Sequence, residues 1–82
     1  MEETIKTLLE KKLEDVTVIL KDPRNDGVHL EAVIISPSFT GLSLLNRHRK
    51  VKDSLKELFT KELHALSIKT YTTLEWREKH EK

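Results

Sequence analysis

Cysteine is absent from the 82 residues of this chain, and glycine and proline occur only twice each. Without cysteine the chain can build neither a disulfide scaffold nor a Cys-ligated zinc finger, and it carries no thiol nucleophile. Two glycines are too few for a phosphate-binding glycine-rich loop, and the GxxG clamp that holds single-stranded nucleic acid in some domains is missing as well. These absences exclude a sulfur-ligated metal site that this chain builds alone.

Aromatic residues and long apolar runs are also scarce. The four aromatic residues, 5% of the chain, are too few to form a stacking platform for single-stranded bases. No apolar stretch approaches the ~20 residues that cross a bilayer, and the two glutamates after Met1 do not resemble the basic start of a secretory signal. We therefore expect one small cytoplasmic domain over residues 1–82, with no membrane partner and with a charged tail at residues 76–82.

Charge is nearly balanced overall but is distributed unevenly. Fifteen Lys and Arg residues against 14 Asp and Glu residues give a formal net charge of +1. Residues 43–56 contain five basic residues and one acidic residue, so this segment carries +4 and the rest of the chain carries −3. No carboxylate lies in the apolar context that acid–base catalysis requires, and no serine lies in a nucleophile motif. We therefore expect a protein that is not an enzyme.

The first half of the chain predicts a helix followed by a β-hairpin. Apolar residues spaced by three and four over residues 3–13 predict an amphipathic helix. A β-branched run predicts a strand at residues 16–20, and a second strand is predicted at residues 28–36. Between them, residues 22–27 are rich in Asp, Pro, Asn and Gly, which favour tight turns.

The second half predicts helix, strand and helix. An apolar stripe over residues 44–58 predicts one long helix or two short ones, with residues 49–51 as the place for a kink. Residues 65–69 alternate as in a third strand, and Thr72 with Glu75 match a capping box at the start of a closing helix. The long connection before the third strand allows a right-handed crossover and a parallel strand pair. The predicted fold class is α+β, a single domain of order α-β-β-α(α)-β-α with helices on one face of a three-stranded mixed sheet.

The four histidines differ in their sequence surroundings. His48 lies on the apolar stripe and is interpreted as a packed structural residue, and His80 lies in the charged tail. His29 opens the second strand and His64 opens the third. Because neighbouring strands lie about 4.8 Å apart, these two imidazoles could reach one metal site. The alternative is two structural histidines, since two ligands make an incomplete site and strand alternation assigns His29 and His64 to opposite faces.

Basic residues cluster on the predicted central helix: Arg47, Arg49, Lys50, Lys52 and Lys56. In a continuous helix, Arg49, Lys52 and Lys56 would form one row. The row is interpreted either as an ordinary solvated helix flank or as a surface that contacts nucleic-acid phosphates or an acidic partner.

Four blocks of sequence resemble the BolA family. They are FTGLS at residues 39–43, NRHRKV at residues 46–51, HALSIKTYT at residues 64–72 and EW at residues 75–76. The resemblance extends from about residue 3 to residue 79. It implies a class II KH-like fold, in which helices cover a three-stranded sheet, and this agrees with the order of elements predicted above.

The resemblance also implies a partner and a cofactor. BolA-like proteins pair with monothiol glutaredoxins and share a [2Fe–2S] cluster, for which the glutaredoxin and glutathione supply thiolates; the isolated chain would hold none. By resemblance His64 is a cluster ligand. The family's second ligand usually lies in the loop at residues 21–28, which here has neither Cys nor His, so His29 is the nearest candidate. Some members are linked to transcriptional regulation, so DNA contact through the basic helix is the alternative function, and homodimerisation is left open.

Overall fold

The computed structural model of the chain describes residues 2–26, 29–61 and 65–80. Its elements are α1 (Glu2–Glu10), β1 (Thr17–Lys21), β2 (His29–Ile35), a 3₁₀ turn (Pro37–Phe39), α2 (Leu44–Ser54), α3 (Lys56–Lys61), β3 (Ala65–Tyr71) and α4 (Thr73–His80). The predicted α+β class and the order α-β-β-α(α)-β-α are confirmed. Within these ranges, no helix combines the length and the apolar character that crossing a membrane requires.

The sheet has the order β1-β2-β3, with β2 in the centre. β1 runs antiparallel to β2, as the predicted hairpin requires, and β3 runs parallel to β2. A tight turn cannot join parallel neighbours, so the chain crosses over through α2 and α3. The resulting register places His29 opposite Ala65 at one end of the strand pair and Ile35 opposite Tyr71 at the other.

Alternate residues of β2 point to opposite faces of the sheet. One set, which includes Leu30 and Ile34, is buried in the core that the sheet shares with α1, α2 and α3. The helices contribute Ile5, Leu9, Val51 and Leu58 to this core, and Leu55, between α2 and α3, belongs to it as well. The opposite face begins with His29 and Glu31, which remain accessible to solvent. The first three helices therefore cover one face, while on the opposite face Val33 and Ile35 are also buried and the His29 end of β2 stays accessible.

Two helix boundaries differ from the predicted ones. α1 ends at Glu10, but the Leu13 N–H still donates to the Leu9 carbonyl at 2.8 Å, so the following turn keeps Leu13 in the core. The central helix breaks at Leu55 and not at residues 49–51. Leu55 is fully buried and has φ −106° and ψ 10°, so α2 ends at the residue that packs into the core.

Ser36 connects three parts of the fold through hydrogen bonds. Its buried hydroxyl donates to the Glu14 carbonyl at 2.6 Å and accepts from the Ser38 N–H at 3.1 Å. The Ser38 hydroxyl in turn accepts from the Glu14 N–H at 2.9 Å. The Ser36 N–H also donates to the Tyr71 carbonyl at 3.0 Å, which extends the contact between β2 and β3. One small polar side chain thus fastens the α1–β1 loop to the end of β2.

Arg47 of α2 is buried, with only 8% of its surface exposed, and its guanidinium holds α4 in place. Nη1 and Nη2 donate to the two carboxylate oxygens of Glu75 at 2.7 and 3.2 Å, and Nε donates to the Leu42 carbonyl at 3.0 Å. Glu75 also completes the predicted capping box, because it accepts from the Thr72 N–H at 2.7 Å and donates its own N–H to the Thr72 hydroxyl at 3.0 Å. The Arg47 guanidinium is therefore occupied by contacts within the fold. This separates Arg47 from the other basic residues of the predicted nucleic-acid surface.

We expect Ser36→Ala to lower the free energy of unfolding by about 1–3 kcal/mol, because the Glu14 carbonyl and the Ser38 N–H would each lose a part-buried hydrogen bond. Urea denaturation measures the change. Ser67→Ala, at an exposed position on β3, is the matched control and should stay within about 0.5 kcal/mol of the wild type. Equal stability of the two variants would contradict the role assigned to Ser36.

The Arg47–Glu75 pair predicts a pH dependence of stability. The Arg47 hydrogen bond, followed by the hydrogen bond from the Thr72 N–H, holds the pKa of the Glu75 carboxyl below its ordinary value of 4.5. A lowered folded-state pKa gives stability that is complete above pH 4.5 and is lost as the pH falls through the lower value. We therefore expect the stability difference between wild type and Glu75→Gln to be largest near neutral pH and to shrink on acidification.

Chemical denaturation at a series of pH values measures this difference. Glu78→Gln, at an exposed position on the same helix, is the control that changes charge without touching Arg47. A stability difference between wild type and Glu75→Gln that stays constant from neutral to strongly acidic pH would show that the charge of Glu75 contributes nothing.

Candidate functional site

The loop between β1 and β2 ends at His29, the first residue of β2. The side chain is 45% exposed and lies on the sheet face opposite α1, α2 and α3. The strand register places its backbone opposite Ala65, where β3 begins. A partner can therefore reach the imidazole from outside the domain.

Asp26 holds the ring of His29. The carboxylate Oδ2 lies 2.8 Å from Nδ1, and Oδ1 accepts the backbone N–H of His29 at 3.0 Å. Nδ1 is engaged in this contact, which leaves Nε2 as the ring nitrogen for a metal or a partner. Asp26 is not among the site residues predicted from the sequence, although an Asp three residues before a His at a turn–strand junction is a signal that could have identified the pair.

The loop that carries Asp26 is ordered by its own hydrogen bonds. The Asn25 N–H donates to the Asp22 carbonyl at 3.0 Å, and the Asp26 N–H donates to Asp22 Oδ1 at 3.2 Å. Asn25 has φ +54°, in the left-handed region that Asn tolerates better than most residues. The turn composition noted in the sequence thus fixes Asp26 relative to the end of β1.

A shallow, open depression of about 340 Å³ adjoins this pair. Its lining residues are Pro23, His29, Leu30, Glu31, Leu66 and Ser67. Glu31 pairs across the sheet with Lys69, with 3.7 Å between Oε1 and Nζ. The imidazole therefore stands at the edge of a mainly apolar surface with one ion pair beside it.

The other predicted ligand, His64, lies outside the described residues. Its sequence neighbour Ala65 is the first residue of β3 and is in register with His29. Across the described ranges, no group of three or more His, Cys, Asp or Glu side chains is arranged to hold a metal ion. The described part of the chain thus offers the His29 imidazole, supported by the Asp26 carboxylate, at the end of the sheet where β3 begins.

The other two histidines have different surroundings. His48 is half-buried on α2. His80 lies at the end of α4 and stacks on Trp76, with ring centroids 3.8 Å apart and Nδ1 3.0 Å from the Trp76 carbonyl. The segment predicted as a charged tail is therefore helical as far as His80.

Four of the five basic residues predicted as nucleic-acid contacts remain at the surface of the central helices. Arg49 and Lys52 are exposed on α2, and Lys50 is half-buried there. Lys56 is exposed but opens α3, beyond the break at Leu55. The single row expected for a continuous helix is therefore divided between two helices.

Asp53 is the acidic residue within this basic segment, and its carboxylate pairs with the ammonium group of Lys12. The hydrogen bond and the charge of Lys12 lower the pKa of Asp53, with a smaller contribution from Lys56. Lys12 belongs to the turn after α1, outside the basic segment. Asp53 thus has a counter-ion of its own, so the positive charge of Arg49 and Lys52 is available to a partner.

Comparison with known proteins places the chain among close relatives. The family model for BolA-like proteins matches residues 6–75. A relative from Vibrio cholerae, the DNA-binding transcriptional regulator BolA, is 35% identical in an alignment 85 positions long, which covers 90% of this chain and 80% of that protein. The structure of BolA1 from Arabidopsis thaliana matches with a TM-score of 0.76 at 35% identity and covers 90% of this chain and 93% of that one.

A bolA protein homologue from Coxiella burnetii is similar to the same degree. Its structure matches with a TM-score of 0.75 at 38% identity, over 94% of this chain and 96% of that one. The sequence blocks, the family model and the fold agree with one another. The chain belongs to the BolA family.

Proposed function

We propose that this chain is a non-enzymatic adaptor that binds a monothiol glutaredoxin and shares a [2Fe–2S] cluster with it, in iron–sulfur cluster trafficking or iron and redox regulation. The glutaredoxin and glutathione supply the thiolates, and this chain supplies imidazole from His64 and His29. The observation that carries the proposal is the half-exposed ring of His29, with one nitrogen held by Asp26 and the other available. Membership of the BolA family supports the choice of partner.

The ligand chemistry follows from the composition. A chain without cysteine can offer a cluster nitrogen or oxygen ligands but no thiolate, so the cluster depends on a partner for its sulfur ligands. Imidazole in place of a thiolate makes the cluster less negative and raises its reduction potential. The ligating ring must be neutral, so acidification is expected to release the cluster.

The surroundings of His29 suit such a shared site. Leu30 and Leu66 contribute apolar surface to the adjoining depression, which a bound partner would close off from water. Exclusion of water around a metal centre changes both its potential and its stability. This end of the β2–β3 strand pair therefore supplies a ligand and part of the shielding, and the partner supplies the rest.

We expect His64→Ala and His29→Ala each to weaken cluster retention in the complex. Loss of a residue that only hydrogen-bonds a metal ligand costs roughly 10–100-fold in metal affinity, so loss of the ligand itself should cost at least as much. The measurement titrates the chain into reconstituted glutaredoxin with glutathione and follows the visible absorption and circular dichroism of the cluster. His80→Ala is the control, because this imidazole stacks on Trp76 within α4.

The outcomes separate the ligand assignment from partner binding. A His64→Ala complex with an unchanged spectrum would show that His64 is not a ligand. Glutaredoxin binding that persists while no cluster is shared, even in the wild type, would make the chain a metal-free interaction module and would overturn the proposal.

DNA binding is the second candidate function. Two observations favour it: the Vibrio cholerae relative is named a DNA-binding transcriptional regulator, and Arg49 and Lys52 stand exposed on α2 with Lys56 following on α3. Exposed guanidinium and ammonium groups can bind backbone phosphates without base-stacking aromatic residues. Arg47 is not among the expected contacts, because Glu75 occupies its guanidinium.

If the chain binds DNA, we expect the triple substitution Arg49→Gln, Lys52→Gln and Lys56→Gln to reduce the slope of log affinity against log salt concentration by about 0.9 for each phosphate that the variant no longer neutralises. Fluorescence anisotropy with a labelled duplex at several salt concentrations measures the slope. The matched control replaces three exposed lysines elsewhere, Lys6, Lys11 and Lys21, by glutamine. Equal effects of the two triple variants would show that the basic helices have no special role.

A further inference from the structure

The contact between Asp26 and His29 restricts the orientation of the imidazole. Both oxygens of the carboxylate face His29, one toward Nδ1 at 2.8 Å and the other toward the backbone N–H at 3.0 Å. The two side chains are 45% exposed for His29 and 36% exposed for Asp26. Burial therefore does not force them together, and the contact depends on the hydrogen bonds and on the shape of the loop.

An ionised carboxylate only accepts hydrogen bonds, so the nitrogen beside it must carry a proton. In the neutral ring this proton lies on Nδ1, and the lone pair lies on Nε2. Histidines that ligate metals commonly donate the other ring N–H to a carboxylate, which fixes the tautomer and the ring orientation. The Asp26–His29 pair has this arrangement in the chain by itself.

We infer that Asp26 is a positioning residue for His29: it sets the Nδ1–H tautomer and the ring orientation, and so presents the Nε2 lone pair to the iron of a shared cluster. The ligand part of this inference rests on the proposed function, whereas the tautomer part concerns the isolated chain. Asp22 and Asn25 contribute by ordering the turn from which the Asp26 carboxylate projects.

The two substitutions of Asp26 separate its contacts. In Asp26→Asn, the side-chain oxygen can still accept the His29 N–H, while the amide NH₂ would face Nδ1 as a donor and drive the ring proton to Nε2. Asp26→Ala removes both contacts, so this variant measures the effect of a less ordered loop. Glu31→Gln is the matched control, because it removes a negative charge from the same depression at a carboxylate that pairs with Lys69.

The first experiment uses the chain alone, without iron or partner. Nuclear magnetic resonance of ¹⁵N-labelled histidine, at a pH where the rings are neutral, distinguishes the two tautomers by their nitrogen shifts. We expect the Nδ1–H form at His29 in the wild type and in Glu31→Gln, and the Nε2–H form in Asp26→Asn. A wild-type ring that is mainly Nε2–H would overturn the inference.

The second experiment uses the complex with glutaredoxin, glutathione and the [2Fe–2S] cluster. Pulsed electron paramagnetic resonance of the reduced cluster detects nitrogen coupling, and the coupling that disappears in His29→Ala belongs to His29. We expect Asp26→Asn to weaken that coupling and to accelerate cluster release to a chelator by roughly 10–100-fold. Glu78→Gln, at an exposed position on α4 outside the depression, is the control here and should leave both unchanged.

The combined results distinguish the positioning role from the ligand assignment. If His29→Ala removes a nitrogen coupling but Asp26→Asn leaves the coupling and the release rate unaltered, the positioning role of Asp26 is overturned and the proposed function stands. If His29→Ala changes neither signal, His29 is not a ligand, and the positioning role of Asp26 is overturned with that ligand assignment.

Discussion

The parallel pairing of β2 with β3 is the constraint on which the rest of this structure depends. Parallel neighbours require a crossover connection, and the connection here contains α2 and α3, which cover one face of the sheet. The register sets His29 opposite Ala65, so the β1–β2 loop and the start of β3 meet at one end of the sheet. α1, α2 and α3 pack on one face, and the His29 end of the opposite face is accessible to a partner.

Two side-chain pairs that each contain a carboxylate perform different tasks in this domain. The Arg47–Glu75 pair holds α2 against α4 and combines a buried guanidinium with a helix cap. The Asp26–His29 pair is half-exposed and joins a loop residue to the first residue of the next strand, three positions away, so it orients a side chain without connecting distant elements. Exposure and sequence separation thus distinguish a stabilising pair from one that presents a ring to the outside.

Local sequence patterns predicted most of the secondary structure. The hairpin and its turn, the parallel crossover and the Thr72–Glu75 capping box all depend on neighbouring residues or on connection length, and all are confirmed. The break in the central helix was not located, because Leu55 ends α2 where it packs into the core, and the apolar spacing continues through that point. The partner of His29 was also missed: the spacing of Asp26 and His29 was an available signal, but turn composition alone does not reveal where the Asp26 carboxylate points.

The sequence alone determined the chemical repertoire of this protein. The absence of cysteine restricts any cluster ligand to imidazole or oxygen, and the uneven placement of charge concentrates basic residues in one segment. Only the tertiary structure decided which role each residue of a given type has. Arg47 is removed from the basic surface because a carboxylate 28 positions away in sequence, Glu75, meets it in the fold, and no local pattern encodes that meeting. The same holds for His29, whose neighbour Ala65 is distant in the chain and is brought opposite by strand register.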